Sequence, residues 1–431
     1  MKRKALWISI IGILLIGFAC LFCYRYFNRQ KQIEQKKHTG LVSEDFPVQD
    51  IKHQSKNIYE DAYQAETDTQ LQIMKDNHSY TIEDPLLVWN PYGTNTGSFY
   101  YYGISKQDSY VVCEVTCNNG SVIKHRLKND SDSGVTKTHE YLITGLAPGL
   151  KNHFSLAFYD AGNNLIHTYQ YTVTLKKDKQ IPAITKVEKG NSKSSLTDGL
   201  FAVLGHDKSK AKNIYYYDNN GICRGKTPLD DYRTDRILTI DGKIVYSYSL
   251  TDIAFVNRLG KVEKTLSLGK YELHHDFMYD EKRNELLCLV NDTDKDTIED
   301  VLISVNIETG KIKKLVDFEK MMKSMRKRSV QRKGGKNTYG GTELDWLHLN
   351  SLDMINDKDA VFSSREESVI IKINNIYENP SIDYLIHSGS LYKGTKYEKL
   401  LLKQKGNFVG HAGQHTITVE HDASLPNGQY Y

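Results

Sequence analysis

Three histidine-bearing segments in the second half of the chain hold the residue types best suited to chemistry: Leu273-His274-His275-Asp276, Asp345-Trp346-Leu347-His348-Leu349-Asn350 and Gly413-Gln414-His415-Thr416. Each sits at the edge of a strand-like run, and Ser363-Ser364-Arg365 lies between the second and the third. An imidazole changes charge near neutrality, whereas a guanidinium stays charged and presents a planar fork of donors. Several imidazoles and one guanidinium converging from distant positions suit a site that handles an anion and moves protons around it. The same imidazoles, coming from separate elements, could instead hold zinc or copper. Arg365 beside them is electrostatically awkward for a cation, so neither a metal nor another cofactor is expected. A lone histidine at a strand end most often serves a turn or the core; the assignment rests on the three segments jointly.

These side chains need a scaffold that brings distant positions to one place. From about residue 195 onward, strands ending in polar turns recur, as in Ile214-Tyr215-Tyr216-Tyr217, Ile253-Ala254-Phe255-Val256, Leu302-Ile303-Ser304-Val305 and Val369-Ile370-Ile371-Lys372. Gaps of about 40 to 65 residues between such units fit four-stranded propeller blades, whose loops gather around one central mouth. That geometry would let His275, His348 and His415 meet. Ahead of it, residues 77–178 read as short alternating segments separated by turns such as Asn118-Asn119-Gly120 and Ala147-Pro148-Gly149, the pattern of a small β-sandwich. Residues 142–158 resemble a fibronectin type III strand-turn-strand unit, which speaks to fold only. The expected class is all-β: an immunoglobulin- or fibronectin-like sandwich followed by a propeller over 179–431.

Residues 5–24 form an apolar run preceded by Lys2, Arg3 and Lys4, long enough to span about 30 Å of hydrocarbon as a helix. No small-residue cleavage site follows, so a single-pass anchor over 1–29 is expected, with the body exported and a charged, Gln-rich stalk over 30–76. The net charge of +4 in 431 residues gives no global support for a nucleic-acid partner. The local exception is the acid-free run at 323–336, which reads as a solvated loop or a rim that attracts anionic substrates. If Cys113 to Cys117 is one strand, their Cα atoms lie about 13 Å apart, too far for a disulfide.

The order of His-His-Asp, Asp-Trp-Leu-His-Leu-Asn, Ser-Ser-Arg ahead of an apolar strand, and Gly-Gln-His resembles the bacterial arylsulfate sulfotransferase family. These are exported enzymes with a β-sandwich in front of a propeller. They move a sulfuryl group from a phenolic sulfate ester to another phenol through a sulfated histidine, without a nucleotide sulfate donor or any cofactor. The resemblance implies His415 as nucleophile, His348 as acid/base residue, Arg365 and Asn350 as sulfate-binding groups, and His275, with His274 as the alternative, at the first histidine position; either His348 or His275 could supply the proton that the departing phenolate needs. Tyr92, in Pro91-Tyr92-Gly93, is similar to a tyrosine presented toward the substrate. The chemistry suits these types: a sulfate monoester asks mainly for positioning and charge stabilisation, a guanidinium fork can bind two of its oxygens, and a neutral imidazole can attack. An aryl sulfate donor and a phenol acceptor are the implied partners, with homodimerisation left open.

Family members usually continue past Gly-Gln-His, whereas this sequence stops 16 residues after His415. An incomplete propeller with an unpaired edge is therefore one expectation. The alternatives are a membrane-tethered, non-catalytic propeller used for binding and a histidine-ligated metal site.

Overall fold

The computed structural model describes residues 48–431, apart from 119, 132, 182–187, 189, 191–198, 206–211, 231–233, 331–334, 338–339, 422–423, 427–428 and 431. The expected anchor, the first part of the stalk and residues 331–334 of the basic run lie outside the described residues. Among those described, no helix is long and apolar enough to cross a membrane. The chain is all-β in character and divides into two compact units. One runs up to Val203 and also takes in Asn213–Pro228 and Arg258–Val262; the other comprises Leu204–Lys212, Leu229–Asn257 and Glu263–Tyr431.

In the first unit, helix α1 (Asp61–Asp76) precedes strands β1 (Leu86–Trp89), β2 (Phe99–Cys117), β3 (Ile123–Arg126), β4 (Thr136–Ile143), β5 (Lys151–Tyr159) and β6 (Leu165–Thr174). Strand β2 organises a single six-stranded sheet, whereas the sequence pattern predicts a two-sheet sandwich. Its first part pairs with β1 and β4, its last part with β3 and β5, and its register shifts between Ile104 and Ser109. Alternate residues of both halves, Phe99, Tyr101, Val111, Cys113 and Val115, enter a core shared with Phe154, Leu156, Phe158 and Tyr171. That alternation is the period-two pattern expected of half-buried strands. Cys113 and Cys117 both lie on β2 and are free thiols.

The stalk expected over 30–76 differs from residue 48 onward. Gln49 exchanges backbone hydrogen bonds with Leu87 and Trp89, and α1 buries Tyr63, Thr67 and Leu71. A stripe at four-residue spacing lies on one helix face, so α1 packs as part of the unit. Three further strands, β7 (Phe201–Val203), β8 (Asn213–Tyr217) and β9 (Cys223–Pro228), form a sheet that also falls within this unit, although the sequence pattern assigned everything after 178 to the propeller. Arg224 on β9 is fully buried; its Nε donates to Asp218 Oδ2 at 2.8 Å and Nη1 donates to the Gly145 carbonyl at 2.8 Å, while Nη2 reaches the Ser121 carbonyl.

The second unit is built on three four-stranded antiparallel sheets, each in sequence order. They are β10 (Ile237–Ile240), β11 (Lys243–Ser247), β12 (Asp252–Val256) and β13 (Val262–Ser267); β14 (Tyr271–Asp280), β15 (Glu285–Asp292), β16 (Val301–Asn306) and β17 (Ile312–Asp317); and β18 (Leu349–Met354), β19 (Ala360–Ser364), β20 (Val369–Asn374) and β21 (Ser381–Ile386). The middle sheet is covered on both faces. Leu286, Cys288 and Val290 of β15 and Val301, Ile303 and Val305 of β16 enter one core with Val245, Ile253 and Phe255. Leu287, Leu289 and Leu302 enter the other with Phe362, Ile371 and Leu385. Burial on both faces explains the near-continuous apolar runs of β15 and β16. Two short helices, α2 (Phe318–Met321) and α3 (Lys323–Arg326), close off the second core with Phe318, Met322 and Met325. The start of the basic run is therefore helical, and Arg326 pairs with Asp296 at 2.8 Å.

The Asp218–Arg224 pair generates a stability test. Arg224→Met would leave the Asp218 carboxylate buried without its cation, a change that costs about 3–5 kcal/mol. Chemical denaturation of the full chain is expected to show a loss of that size, whereas Lys282→Met, which breaks an exposed pair with Asp357, should cost less than about 1 kcal/mol.

Candidate active site

His274 and His275 lie on β14, His348 immediately precedes β18, and His415 comes from the segment after the last sheet; β14 and β18 run side by side. Both are interrupted where the site lies. Along β14 the register moves from Leu273↔Val290 to Phe277↔Cys288, so His274, His275 and Asp276 form a bulge. On β18 the register moves from Leu349↔Ser364 to Ser351↔Ser363, which leaves Asn350 as the extra residue. A bulge bends its strand and re-aims side chains. His275 and His348 both take left-handed backbone conformations, φ +57° and +53°, as does Glu299 in the β15–β16 turn at φ +58°. Each such conformation costs a non-glycine residue about 1–3 kcal/mol and persists only where the surroundings fix it.

The surroundings here are hydrogen bonds. Asp276 joins three elements: Oδ2 accepts from the Leu352 N–H at 3.1 Å and the Ser351 hydroxyl at 3.2 Å, and Oδ1 pairs with Arg236. The Asp235 carboxylate accepts the His275 N–H at 3.1 Å, and the His348 carbonyl accepts the Arg365 N–H at 3.1 Å. The segment carrying His415 has no strand ladder. The Ile417 N–H donates to Ser351 Oγ at 3.2 Å and the Val419 N–H to Asp353 Oδ2 at 2.8 Å, while Gln414 Nε2 donates to the carbonyls of Ser364 and Val369 at 2.9 and 3.0 Å.

The three imidazoles meet. Ring centroids lie 4.8 Å apart for His275 and His348, 4.9 Å for His275 and His415, and 5.8 Å for His348 and His415. His274 stands behind His275, with its Nδ1 3.1 Å from that of His275. His275 and His415, with Asn350, Asp276, Arg236 and Thr416, line a cavity of about 580 Å³.

The four rings differ in charge. Burial and neighbouring imidazoles push His275 down to about 3, and burial holds His274 at about 4, so both are neutral at neutral pH. Burial, His348 and Arg365 also lower His415 below its ordinary value. In His348 burial opposes the proton, but the adjacent carboxylates outweigh it and raise the group to about 8. Asp345 Oδ2 lies 2.9 Å from His348 Nδ1, and the Glu299 carboxylate touches the same nitrogen. His348 Nε2, facing away from both, is buried without a hydrogen-bond partner.

Arg365 Nη2 lies 3.6 Å from Asp345 Oδ2, but Nε and Nη2 engage Glu366 Oε1 at 3.0 and 2.6 Å. Asn350 departs from the expected role. Its Nδ2 donates to the Gln414 carbonyl at 3.0 Å and reaches the His348 carbonyl at 3.4 Å, so as placed it holds the His415 segment rather than offering its amide to an anion. Tyr92 is buried in the first unit, its hydroxyl donating to Asp68 Oδ1 at 2.8 Å. Sequence reasoning missed Glu299, the catalytic-side role of Asp345, and the anchors Gln414, Ser351 and Asp353. Asp345 carried a signal, since it precedes His348 by three residues within one segment. Ring nitrogens of His275, His348 and His415 lie within 4.8 Å of one another, a spacing open to a metal ion. Arg365, whose Nη2 lies 3.6 Å from Asp345 Oδ2, brings a fixed positive charge to the same region.

Residues 185–430, more than half of the chain, match the model of the arylsulfotransferase (ASST) family. The chain belongs to the arylsulfotransferase family. No curated protein matches it in sequence. Among solved structures it is similar to the β-propeller domain of Cps50 (Swd1) from Myceliophteria thermophila, at 9% identity over 72% of this chain and 87% of that one, with a TM-score of 0.28. It is also similar to a putative 6-phosphogluconolactonase from Bacteroides uniformis, at 11% identity over 64% and 81% with a TM-score of 0.26. Scores this low carry no argument, and the fold stands on the sheets described above.

Asp276 tests the architecture of the site. Asp276→Ala would leave the buried Leu352 N–H without its acceptor, a loss of about 1–3 kcal/mol. Denaturation should read that loss, and any turnover should fall further than stability does, because the separation of β14 and β18 sets the distance between His275 and His348.

Proposed function

We propose that the second unit transfers a sulfuryl group from an aryl sulfate to a phenol in two half-reactions through His415. The observation that carries this reading is the pairing of unlike imidazoles: His415 beside His348, with two buried carboxylates in hydrogen-bond contact with His348 Nδ1. In the first half-reaction a neutral His415 nitrogen attacks sulfur, an N–S bond forms, and the bond from sulfur to the aryl oxygen breaks. The departing oxygen takes the proton from His348 Nε2, leaving His348 neutral. In the second, the acceptor phenol returns a proton to His348 as its oxygen attacks sulfur and the N–S bond breaks. Every step then has its reverse on the same residues, which gives ping-pong kinetics.

His275 stays neutral in this scheme and serves as a hydrogen-bonding wall rather than a proton source. Arg365 binds the non-bridging oxygens, for which they must compete with Glu366. The propeller reading of the three sheets supports one mouth that admits donor and acceptor in turn. The apolar run at 5–24 supports a body held at the membrane and exported, in reach of small phenols outside the cell.

Transfer from an aryl sulfate should be faster with added phenol than in water. His415→Ala should lower kcat by about three orders of magnitude or more with folding intact; unaffected turnover would remove the central claim. Insensitivity to chelators separates this chemistry from a metal site on the same imidazoles. The pH dependence follows from the two groups. His415 must be unprotonated, so kcat/KM rises as pH passes its lowered value; His348 must be protonated, so kcat/KM falls as pH rises through about 8. The expected profile is a bell, and a flat profile through pH 8 with a poor leaving group would rule out His348 as the acid.

A further inference from the structure

Glu299 is a residue for which the two half-reactions have no direct use, yet it is the most constrained side chain of the site. It is fully buried and sits at φ +58° in the turn between β15 and β16. Its N–H donates to Asn291 Oδ1 at 2.8 Å and its carbonyl accepts the Leu349 N–H at 3.0 Å, which ties the turn to the start of β18 beside His348. The carboxylate thus arrives with its direction fixed. One oxygen touches His348 Nδ1 and the other lies 3.7 Å from His275 Nδ1.

Two carboxylates facing one nitrogen need separate reasons. Asp345 is shared with Arg365, whose Nη2 is 3.6 Å away, so an anion that draws the guanidinium forward changes what Asp345 experiences. Glu299 is shared with imidazoles. His348 and His275 lie against it and His274 stands beside them, while His415 and Arg365 act on the cluster from the open side. An anionic carboxylate in that position favours a proton most on the one ring it touches, while burial keeps His275 and His274 neutral against its weaker pull. Burial resists ionisation of Glu299, but the His348 hydrogen bond and the imidazoles hold it well below the usual carboxylate range, so it stays charged through the working pH.

We propose that Glu299 is the positioning residue that keeps a proton on His348 and thereby sets how poor a leaving phenol the site can expel. The inference rests on the sulfuryl-transfer reading. A phenol that ionises near neutrality can leave as the phenolate and needs little from His348. A phenol of ordinary acidity needs the His348 Nε2 proton as its bond to sulfur breaks. The proton resides on His348 before the first half-reaction and returns there from the acceptor, with Glu299 unchanged throughout. Donors with poor leaving groups, such as simple alkyl- or hydroxyalkyl-phenyl sulfates, are then within the site's range.

The test uses the full chain and three variants, Glu299→Gln, Glu299→Asp and His348→Gln, the last to assign the His348 ring signals by NMR. Titration of the His348 ring in Glu299→Gln should move down by about 1–3 pH units. With phenyl sulfate as donor, the alkaline limb of kcat/KM should move with it, and the rate at pH 7.5 should fall about tenfold or more. With p-nitrophenyl sulfate the rate should stay within about threefold. Glu299→Asp keeps the charge and should restore most of the limb; it also serves as the measurable variant if Glu299→Gln does not fold. An unmoved His348 titration overturns the proposal, as does an equal loss for both donors at every pH, which marks a purely structural role. A wild-type chain that turns over neither donor overturns the sulfuryl-transfer reading and the leaving-group half with it, while the titration still decides whether Glu299 holds the proton.

Discussion

A charged imidazole buried in a protein must be compensated within a few ångströms, or it gives up its proton. The second unit is arranged around that requirement at His348. Its two carboxylates come from separate places, Glu299 from the turn of one sheet and Asp345 from the segment that enters the next. Because Glu299 is tied to Leu349 and Asp345 follows Leu344, which exchanges backbone hydrogen bonds with Asp296 and Ile298, the sheets that carry them must keep their spacing to within hydrogen-bond tolerance. The same compensation makes the site asymmetric: rings a few ångströms apart differ in charge because His348 Nδ1 has two carboxylates within hydrogen-bond distance, whereas Glu299 lies 3.7 Å from that of His275 and burial prevails there.

The sheets meet the requirement through their cores. Side chains of β15 and β16 point alternately into two apolar clusters, so the middle sheet is clamped on both faces and cannot slide relative to either neighbour without opening a cavity. At the inner edge, where β14 and β18 run together, Asp276 replaces apolar packing with directed bonds to Ser351, Leu352 and Arg236. The bulges sit beside this tether. Strain at His275 and His348 is thereby stored where the neighbouring structure is stiffest, which allows two functional side chains to leave the ordinary alternation of their strands.

Much of this was legible in the sequence, for identifiable reasons. His275, His348 and His415 stood out among fifteen histidines only jointly, through the order of their segments with Arg365 at strand edges. The strands of the first unit were legible in the alternation of β2, β4 and β5, and the free state of Cys113 and Cys117 in their spacing along one strand. Glu299 was not, since a glutamate flanked by Asp296 and Asp300 reads as a solvated turn, and its burial depends on β14 and β18, which are distant in sequence. Helix α1 was hidden for a similar reason: its buried stripe includes Gln64 and Thr67, so a charge-rich segment that packs looked like one that does not. The assignment of β7 to β9 to the first unit also lay beyond pattern reading, because a strand's own residues do not say which sheet it joins.

The segment bearing His415 is attached differently from every other part of the site. Its amides are bound by Ser351 and Asp353 side chains and by the Gln414 anchor, not by a ladder that continues from strand to strand. A ladder opens as a cooperative block, whereas side-chain tethers release one at a time with small free energies. Amide exchange along 413–419 is therefore governed by local opening rather than by global unfolding. The sheets and the placement of His415 in the cavity are thus expected to have separate thresholds, the tethered segment leaving before the ladders open.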